Sequence, residues 1–326
     1  LNNIILIILN IINVLTRMHK KNILSIKNLK KIYSNKQTEN TPALNDLNLD
    51  VQEGEIFGLL GPNGAGKTTF INILAGTVIK TTGQVNVYGF DLDQNPRQVR
   101  ASIGIVPQEV NLDPFFSPRK LLELQAGLYG IEQKDRITDT ILKLVSLEKQ
   151  ANSYARSLSG GMKRRLLMAK ALVHQPPIIF LDEPTAGVDV QLRQNLWKNV
   201  RMLNDQGVTI ILTTHYLEEA EEMCDRIAIL NKGNLVALDS TKNLLDKIQT
   251  KKVTFKVDKK IDIKDGDLES LKIISKAENE ICVSYEKSKI NIEELINLIK
   301  KNNVKIKDIS TDDGDLEDVF LRLIKN

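Results

Sequence analysis

The chain has 326 residues, 42% hydrophobic and 26% charged, enough for one large domain with a proper core and a small one besides. Its 45 basic and 41 acidic side chains leave a net charge of +4, too small to argue for nucleic acid or an acidic partner. Two cysteines, Cys224 and Cys282, in no metal-type spacing, exclude a disulfide framework and read as small buried apolar residues in a reducing compartment.

Residues 1–15 hold eleven apolar residues and four asparagines and no charge. The run falls short of the roughly 20 apolar residues of a spanning helix, and it lacks a basic leader and a cleavage site. It reads either as an extension outside the working fold, with Met18 ahead of His19-Lys20-Lys21, or as a membrane-surface anchor with the basic cluster at the headgroups. No other segment approaches transmembrane length, so the chain is expected to form no channel by itself.

Strands are expected at Ile23–Ile26, Leu47–Val51 and Ile56–Leu60, the last running into a glycine loop and a helix over Lys67–Ala75. Thr82–Gly89 alternates like an exposed strand pair. Residues 96–175 turn helical, with Leu121, Leu122, Leu124, Leu128, Ile141, Leu144 and Leu147 as expected core. Fully apolar runs return at Ile178–Leu181 and Thr209–Thr213, the pattern of strands covered on both faces. Lys, Asp and Glu rise after Leu245. Beyond it a small α+β unit is expected, with strands near Val253–Val257, Ile281–Tyr285 and Val304–Ile309 and helices near Ile292–Lys301 and Asp315–Ile324.

Five stretches carry the chemistry. Gly61-Pro62-Asn63-Gly64-Ala65-Gly66-Lys67-Thr68-Thr69 is a phosphate-cradling loop. Its glycines let backbone N–H groups and a helix N-terminus face phosphate oxygens, Lys67 adds a point charge, and Thr68 offers a hydroxyl to Mg²⁺. Gln108 follows a strand-like run, and Leu158-Ser159-Gly160-Gly161-Met162 precedes a helix expected to begin near Lys163. In Ile178-Ile179-Phe180-Leu181-Asp182-Glu183-Pro184, Asp182 emerges at the carboxyl end of a buried strand, where a carboxylate can hold magnesium. Glu183 beside it is the candidate general base for a water attacking the γ-phosphate. The fifth stretch is His215 alone, directly after the Thr209–Thr214 run, whereas His19 and His174 are read as structural.

In this order the five stretches resemble the ATP-binding cassette (ABC) ATPases, over roughly residues 23–246. The resemblance implies an α/β P-loop NTPase fold: a parallel core sheet, an antiparallel β subdomain and a helical subdomain, here followed by a small C-terminal α+β domain. The domains are expected at 1–22, 23–246 and 247–326. By the same resemblance Tyr33 stacks on adenine, although core packing of Tyr33 is a rival reading, and residues 61–69 hold the phosphates. Gln108 touches Mg²⁺ and the attacking water, alongside Thr68 and Asp182 as metal ligands. His215 contacts the γ-phosphate, and Asp189 couples two sites. Ser159, Gly160 and Gly161 would complete the site of a second copy, in a head-to-tail homodimer around two ATP. Met162 replaces the family's usual glutamine, which puts a polar contact from that position in doubt.

An ATPase of this kind needs something to push. The first expectation is a separately encoded transmembrane permease, with this chain peripheral on the cytoplasmic face of the inner membrane and no nucleic-acid partner. Pro114-Phe115-Phe116 is a candidate contact, unless it packs inside the helical region. Asp313–Leu321 resembles the tail of drug-resistance ABC exporter ATPases, or is a plain amphipathic helix with Leu316, Val319, Phe320 and Leu323 on one face. The alternative is a soluble ABC ATPase acting on ribosomes or DNA, against which the single cassette counts. A catalytically dead regulator would need to lack Glu183.

Overall fold

The computed structural model describes residues 21–33, 41–186, 188, 190–246, 248, 250–259, 271–287, 289–302, 304–312 and 314–325. The N-terminal run 1–17 and Asp189 therefore lie outside the described residues. The chain divides into two compact units, 1–238 and 239–326.

The first unit opens with β1 (Asn22–Lys31), β2 (Leu44–Gln52) and β3 (Ile56–Leu60), then α1 (Lys67–Ala75), β4 (Thr82–Val87) and β5 (Phe90–Asp91). Next come α2 (Pro96–Ala101), β6 (Ile103–Val106), α3 (Pro118–Leu128), α4 (Thr138–Leu144) and α5 (Gly160–Leu172). It continues through β7 (Ile178–Asp182), α6 (Val190–Asp205), β8 (Thr209–Thr214), α7 (Leu217–Met223), β9 (Arg226–Asn231) and β10 (Asn234–Ser240).

Six strands form the central sheet in the order β10-β9-β3-β8-β7-β6, and β9, β3, β8, β7 and β6 pair in parallel. Every residue of β3, β7 and β8 is buried, because crossover elements cover both faces of such a sheet. A second, antiparallel sheet runs β2-β1-β4-β5. Its inner positions Leu24, Ile26, Leu29, Leu47 and Val85 share one apolar cluster with Phe57, Phe70 and Phe180. Each fully buried side chain of this size contributes about 1.5–3 kcal/mol before the entropy of ordering is set against it. The exposed pair expected over Thr82–Gly89 is instead one strand, β4, ending at Val87, with Val85 and Val87 buried and β5 as its short partner beyond the Tyr88-Gly89 turn.

Two expectations for the helical region change. Leu124 and Leu128 are 43% and 83% exposed, while Leu121, Leu122, Ile141 and Leu147 are buried as expected. Leu121, Leu122 and Ala126 mark the covered face of α3; Leu124 lies off that face, and Leu128, two turns beyond Leu121 on the same side, is the last residue of the helix. Helix α5 begins at Gly160 rather than near Lys163, because the Ser159 hydroxyl caps it by accepting from Met162 N at 3.3 Å. Phe115 and Phe116 are 67% and 38% exposed, so neither is sealed inside the helical region.

The second unit holds α8 (Thr241–Asp246), β11 (Thr250–Val257), β12 (Leu271–Lys276), β13 (Glu280–Glu286), α9 (Ile292–Lys301), β14 (Ile306–Asp312) and α10 (Leu316–Lys325). Its sheet runs β12-β13-β11-β14, all pairs antiparallel, over a core of Val253, Phe255, Ile281, Val283, Leu295 and Ile299. Strand β12 was not legible from the sequence, since its alternating face is half lysine and serine. Leu316 and Val319 are buried on α10, and Phe320 and Leu323 are half-buried, as an amphipathic helix requires. Cys224 is buried and Cys282 partly so.

Candidate functional site

Parallel register lines up the carboxyl ends of four strands. Leu60 of β3 pairs with Thr214 of β8, Thr213 with Asp182 of β7, and Leu181 with Val106 of β6. The residues that follow each strand (Gly61, Pro107-Gln108, Glu183 and His215) therefore sit along one edge of the sheet, where open α/β sheets receive ligands.

The loop between β3 and α1 owes its shape to glycine. Gly66 has φ 110° and caps α1, with no side chain satisfying the helix N-terminus. A Cβ on Gly66 would stand 2.5 Å from the carbonyl oxygen of Ala43, so no larger residue fits. Gly64, with φ 80°, faces open space on the side where its Cβ would project, room that a phosphate can take. Lys67 is buried and its Nζ donates to the carbonyls of Gly61 at 2.6 Å and Pro62 at 3.3 Å. Burial pushes its ammonium below the usual lysine range, against the attraction of Glu183 and then Asp182. Thr68 is exposed on the loop side, and Pro62, Asn63 and Ala65 complete the turn, with Ala65 N donating to Pro62 O at 3.1 Å. Tyr33 is 48% exposed, which removes the core-packing reading, and its hydroxyl lies 3.4 Å from Thr69 Oγ1.

Asp182 and Glu183 are each 8% exposed. Asp182 Oδ1 accepts from the Thr213 hydroxyl at 2.6 Å. Burial, foremost, holds the Asp182 carboxyl above the usual range; the Thr213 hydrogen bond and Lys67 oppose that shift and Glu183 adds to it. Glu183 has φ 44°, a left-handed conformation that costs a non-glycine residue on the order of 1 kcal/mol. Its amide is held there by Thr213, donating to the carbonyl at 3.0 Å and the hydroxyl at 3.1 Å. The turn aims the Glu183 carboxylate along the sheet edge, where Oε2 accepts from Gln108 Nε2 at 2.9 Å and lies 3.3 Å from His215 Nδ1.

The structure thus brings Gln108, Glu183 and His215 into one cluster beside Asp182 and Lys67. Thr68, Asp182 and Gln108 offer a hydroxyl, a carboxylate and an amide carbonyl, the hard-oxygen donor set that suits Mg²⁺. Among the described residues no hydrogen bond or ion pair joins Ser159, Gly160 or Gly161 to the 61–69 loop. Ser159 and Gly160 are instead exposed at the N-terminus of α5.

Two supporting residues escaped the sequence reading. Thr213 serves both acidic neighbours, and the signal for it was the pair of hydroxyls, Thr213 and Thr214, that ends the apolar run Ile210-Ile211-Leu212. Glu219, 4% exposed, accepts from Thr185 at 2.8 Å and Thr214 at 3.3 Å, tying together the segments after Glu183 and before His215. Arg193 Nε stands 3.3 Å from Glu219 Oε1, at ion-pair distance but not aligned as a hydrogen bond. Burial, above all, raises the Glu219 carboxyl.

The chain is similar in sequence and fold to known proteins. Residues 44–186 fit the family model described as ABC transporter. The Nod factor export ATP-binding protein I of Cupriavidus pinatubonensis is 39% identical over 224 residues, which span 68% of this chain and 68% of that protein. The linearmycin resistance ATP-binding protein of Bacillus subtilis is 37% identical over 228 residues, 69% of this chain and 71% of that protein. A solved ATP-binding subunit of an ABC transporter superposes with TM-score 0.62 at 28% identity, covering 69% of this chain and 92% of that one. A dimeric ATP-binding cassette in a post-hydrolysis state, bound to ADP and Pi, superposes with TM-score 0.59 at 29% identity, covering 67% of this chain and 98% of that one. With the phosphate loop, the paired carboxylates and the histidine already assembled on one sheet edge, the chain belongs to the ABC transporter family as an ATP-binding, ATP-hydrolysing subunit.

Proposed function

We propose that this chain is the ATPase of an exporter, dimerising head to tail around two ATP and driving a separately encoded transmembrane subunit. Residues 23–246 form the nucleotide-binding domain in this reading, and 247–326 an accessory domain whose use is to steady the dimer. The observation that carries the proposal is the Gln108–Glu183–His215 cluster beside the phosphate loop. Glu183 is the general base: its carboxylate takes the proton of a water whose oxygen attacks the γ-phosphorus, while His215 and Gln108 orient that water. The bond from that phosphorus to the bridging oxygen breaks, and ADP leaves with the oxygen. Lys67, now folded onto its own loop, swings its ammonium to the β and γ phosphates when nucleotide arrives. Gly61, Pro62, Asn63, Gly64, Ala65, Gly66 and Thr69 shape the cradle, and Tyr33 supplies a flat surface for adenine. Thr68, Asp182 and Gln108 would hold Mg²⁺, which neutralises phosphate charge when bound.

Ser159, Gly160 and Gly161 face the second copy's nucleotide in this reading, consistent with the exposure of Ser159 and Gly160 and with their distance in sequence from the 61–69 loop. Hydrolysis removes the γ-phosphate contacts that hold the copies together, so the nucleotide shifts a two-state equilibrium by its differential contacts. Export is supported by relatives named for Nod factor export and linearmycin resistance. Among the described residues no helix is long and apolar enough to cross a membrane, and the relatives carry the names of ATP-binding proteins of export and resistance, which supports a separate membrane-spanning partner. In this reading the chain works at the cytoplasmic face of the inner membrane, with exposed Phe115 and Phe116 as a contact for the partner.

The test is to purify tagged Glu183→Gln protein from detergent-solubilised membranes in ATP and identify its companions. Loss of the base traps the sandwich, and an integral membrane protein at equal stoichiometry is expected. Ribosomes or DNA in its place would overturn the transporter reading.

A further inference from the structure

Arg164 sits on α5, five residues beyond Ser159 and 6% exposed. Its Nη1 donates to the carbonyl oxygens of Pro107 at 3.1 Å and Gln108 at 2.6 Å, and its Nη2 to that of Ala186 at 3.4 Å. Those carbonyls belong to two different loops, one leaving β6 and one leaving β7. The first loop carries Gln108, whose amide already donates to Glu183 Oε2. The second begins with Glu183 itself. A single guanidinium therefore spans the helix and both loops that hold the base.

A stability role explains this poorly. The recorded partners of Arg164 among the described residues are neutral carbonyls, and a buried cation without a carboxylate partner is a weak stabiliser beside an apolar side chain of similar volume. Its neighbour Arg165 shows the contrast: it donates to the carbonyls of Val145 and Ser146, inside the helical region, and links nothing to the site. The planar fork of Arg164 is the part that lets it hold divergent acceptors together, which an ammonium cannot copy.

We propose that Arg164 is a positioning residue that makes the seating of Gln108 against Glu183 depend on where α5 stands. Five steps along the helix carry the chain from Ser159 to Arg164, about 7.5 Å of rigid rise. A shift of the α5 N-terminus, when Ser159–Gly161 meets the nucleotide of the second copy, moves the guanidinium with it. The Pro107–Gln108 backbone follows, and with it the amide on the Glu183 carboxylate. Engagement at one site thereby sets the base of the other. This rests on the ATP-sandwich reading above and adds the residue that carries the signal within a protomer.

The test uses the full chain with Arg164→Lys and Arg164→Gln, each made alone and in the Glu183→Gln background. Turnover (kcat and KM), melting temperature and ATP-driven dimerisation by light scattering are read on each. The expected result is a kcat lowered on the order of 10- to 100-fold with KM held within about threefold, as for a misplaced catalytic group. In the Glu183→Gln background both variants should still dimerise with ATP; with Glu183 intact, Arg164→Lys should retain more turnover than Arg164→Gln. A kcat within about twofold of the parent in both variants overturns the proposal. So does loss of dimerisation in step with turnover, which marks a structural role; if Arg164→Gln fails to fold, Arg164→Lys decides. A parent that neither turns over ATP nor, as Glu183→Gln, dimerises would sink the sandwich reading itself, and the relay with it.

Discussion

Asp182 is ionisable, buried and held above its ordinary pKa by that burial, so its charged form is disfavoured in the fold. The sign follows directly. Near neutral pH this carboxylate subtracts from stability, and the subtraction fades as pH falls through the raised folded pKa toward the unfolded value of about 3.9. Asp182→Asn should therefore raise the melting temperature at pH 7, with the gain shrinking toward pH 4. The same variant should lose Mg²⁺-dependent hydrolysis, which a phosphate-release assay reads. A variant that is less stable at every pH would show that the Thr213 hydrogen bond outweighs desolvation. Glu183 is a second residue set against its own preference, held at positive φ by two bonds to Thr213. Candidates such as Glu183 and Lys67 were readable because their motif spacing is tied to chemistry. Thr213 was not, because a hydroxyl at a strand end becomes informative only when its cross-strand neighbour is known to be Asp182.

Helix ends decide much of the local structure. Ser117 caps α3 by accepting from Lys120 N at 3.3 Å, with Pro118 at the first helical position. Ser117→Ala should cost about 1 kcal/mol by urea denaturation and leave ATP binding intact, since the cap is distant in sequence from the nucleotide loop. The cap of α1 is different in kind. Gly66→Ala drives a Cβ onto the Ala43 carbonyl and adds strain at φ 110°, so the loop must shift. Binding of a fluorescent ATP analogue should fall with it on the order of 10-fold or more, a loss of over about 1.4 kcal/mol. At this scale strand position was legible wherever both faces are covered, as in Ile56–Leu60 and Ile178–Leu181, because uninterrupted apolar runs have few other uses. The fate of Leu124 and Leu128 was not legible, since periodicity marks which leucines share a face and says nothing about which faces meet a neighbour.

As a whole, the molecule presents an exposed Ser159–Gly160 loop at one helix end and a phosphate cradle on a sheet edge, with no hydrogen bond between them among the described residues. In the proposed ATP sandwich these are two complementary half-sites that a second copy would join. Glu183→Gln protein should run as a monomer in ADP and as a dimer in ATP by light scattering, and adding Ser159→Arg should abolish the dimer while leaving ATP bound. The order of the motifs along the chain by itself determined the family, the phosphate loop and the identity of both carboxylates, because each needs fixed residue types at fixed short spacing. Tertiary structure alone decided that Gln108, Glu183 and His215 meet at one carboxylate and that Thr213 steadies both acids. It also decided that Arg164 bridges α5 to the two loops beside the base. Those contacts join segments far apart in the chain, and parallel-strand register, which no local pattern encodes, is what brings them together.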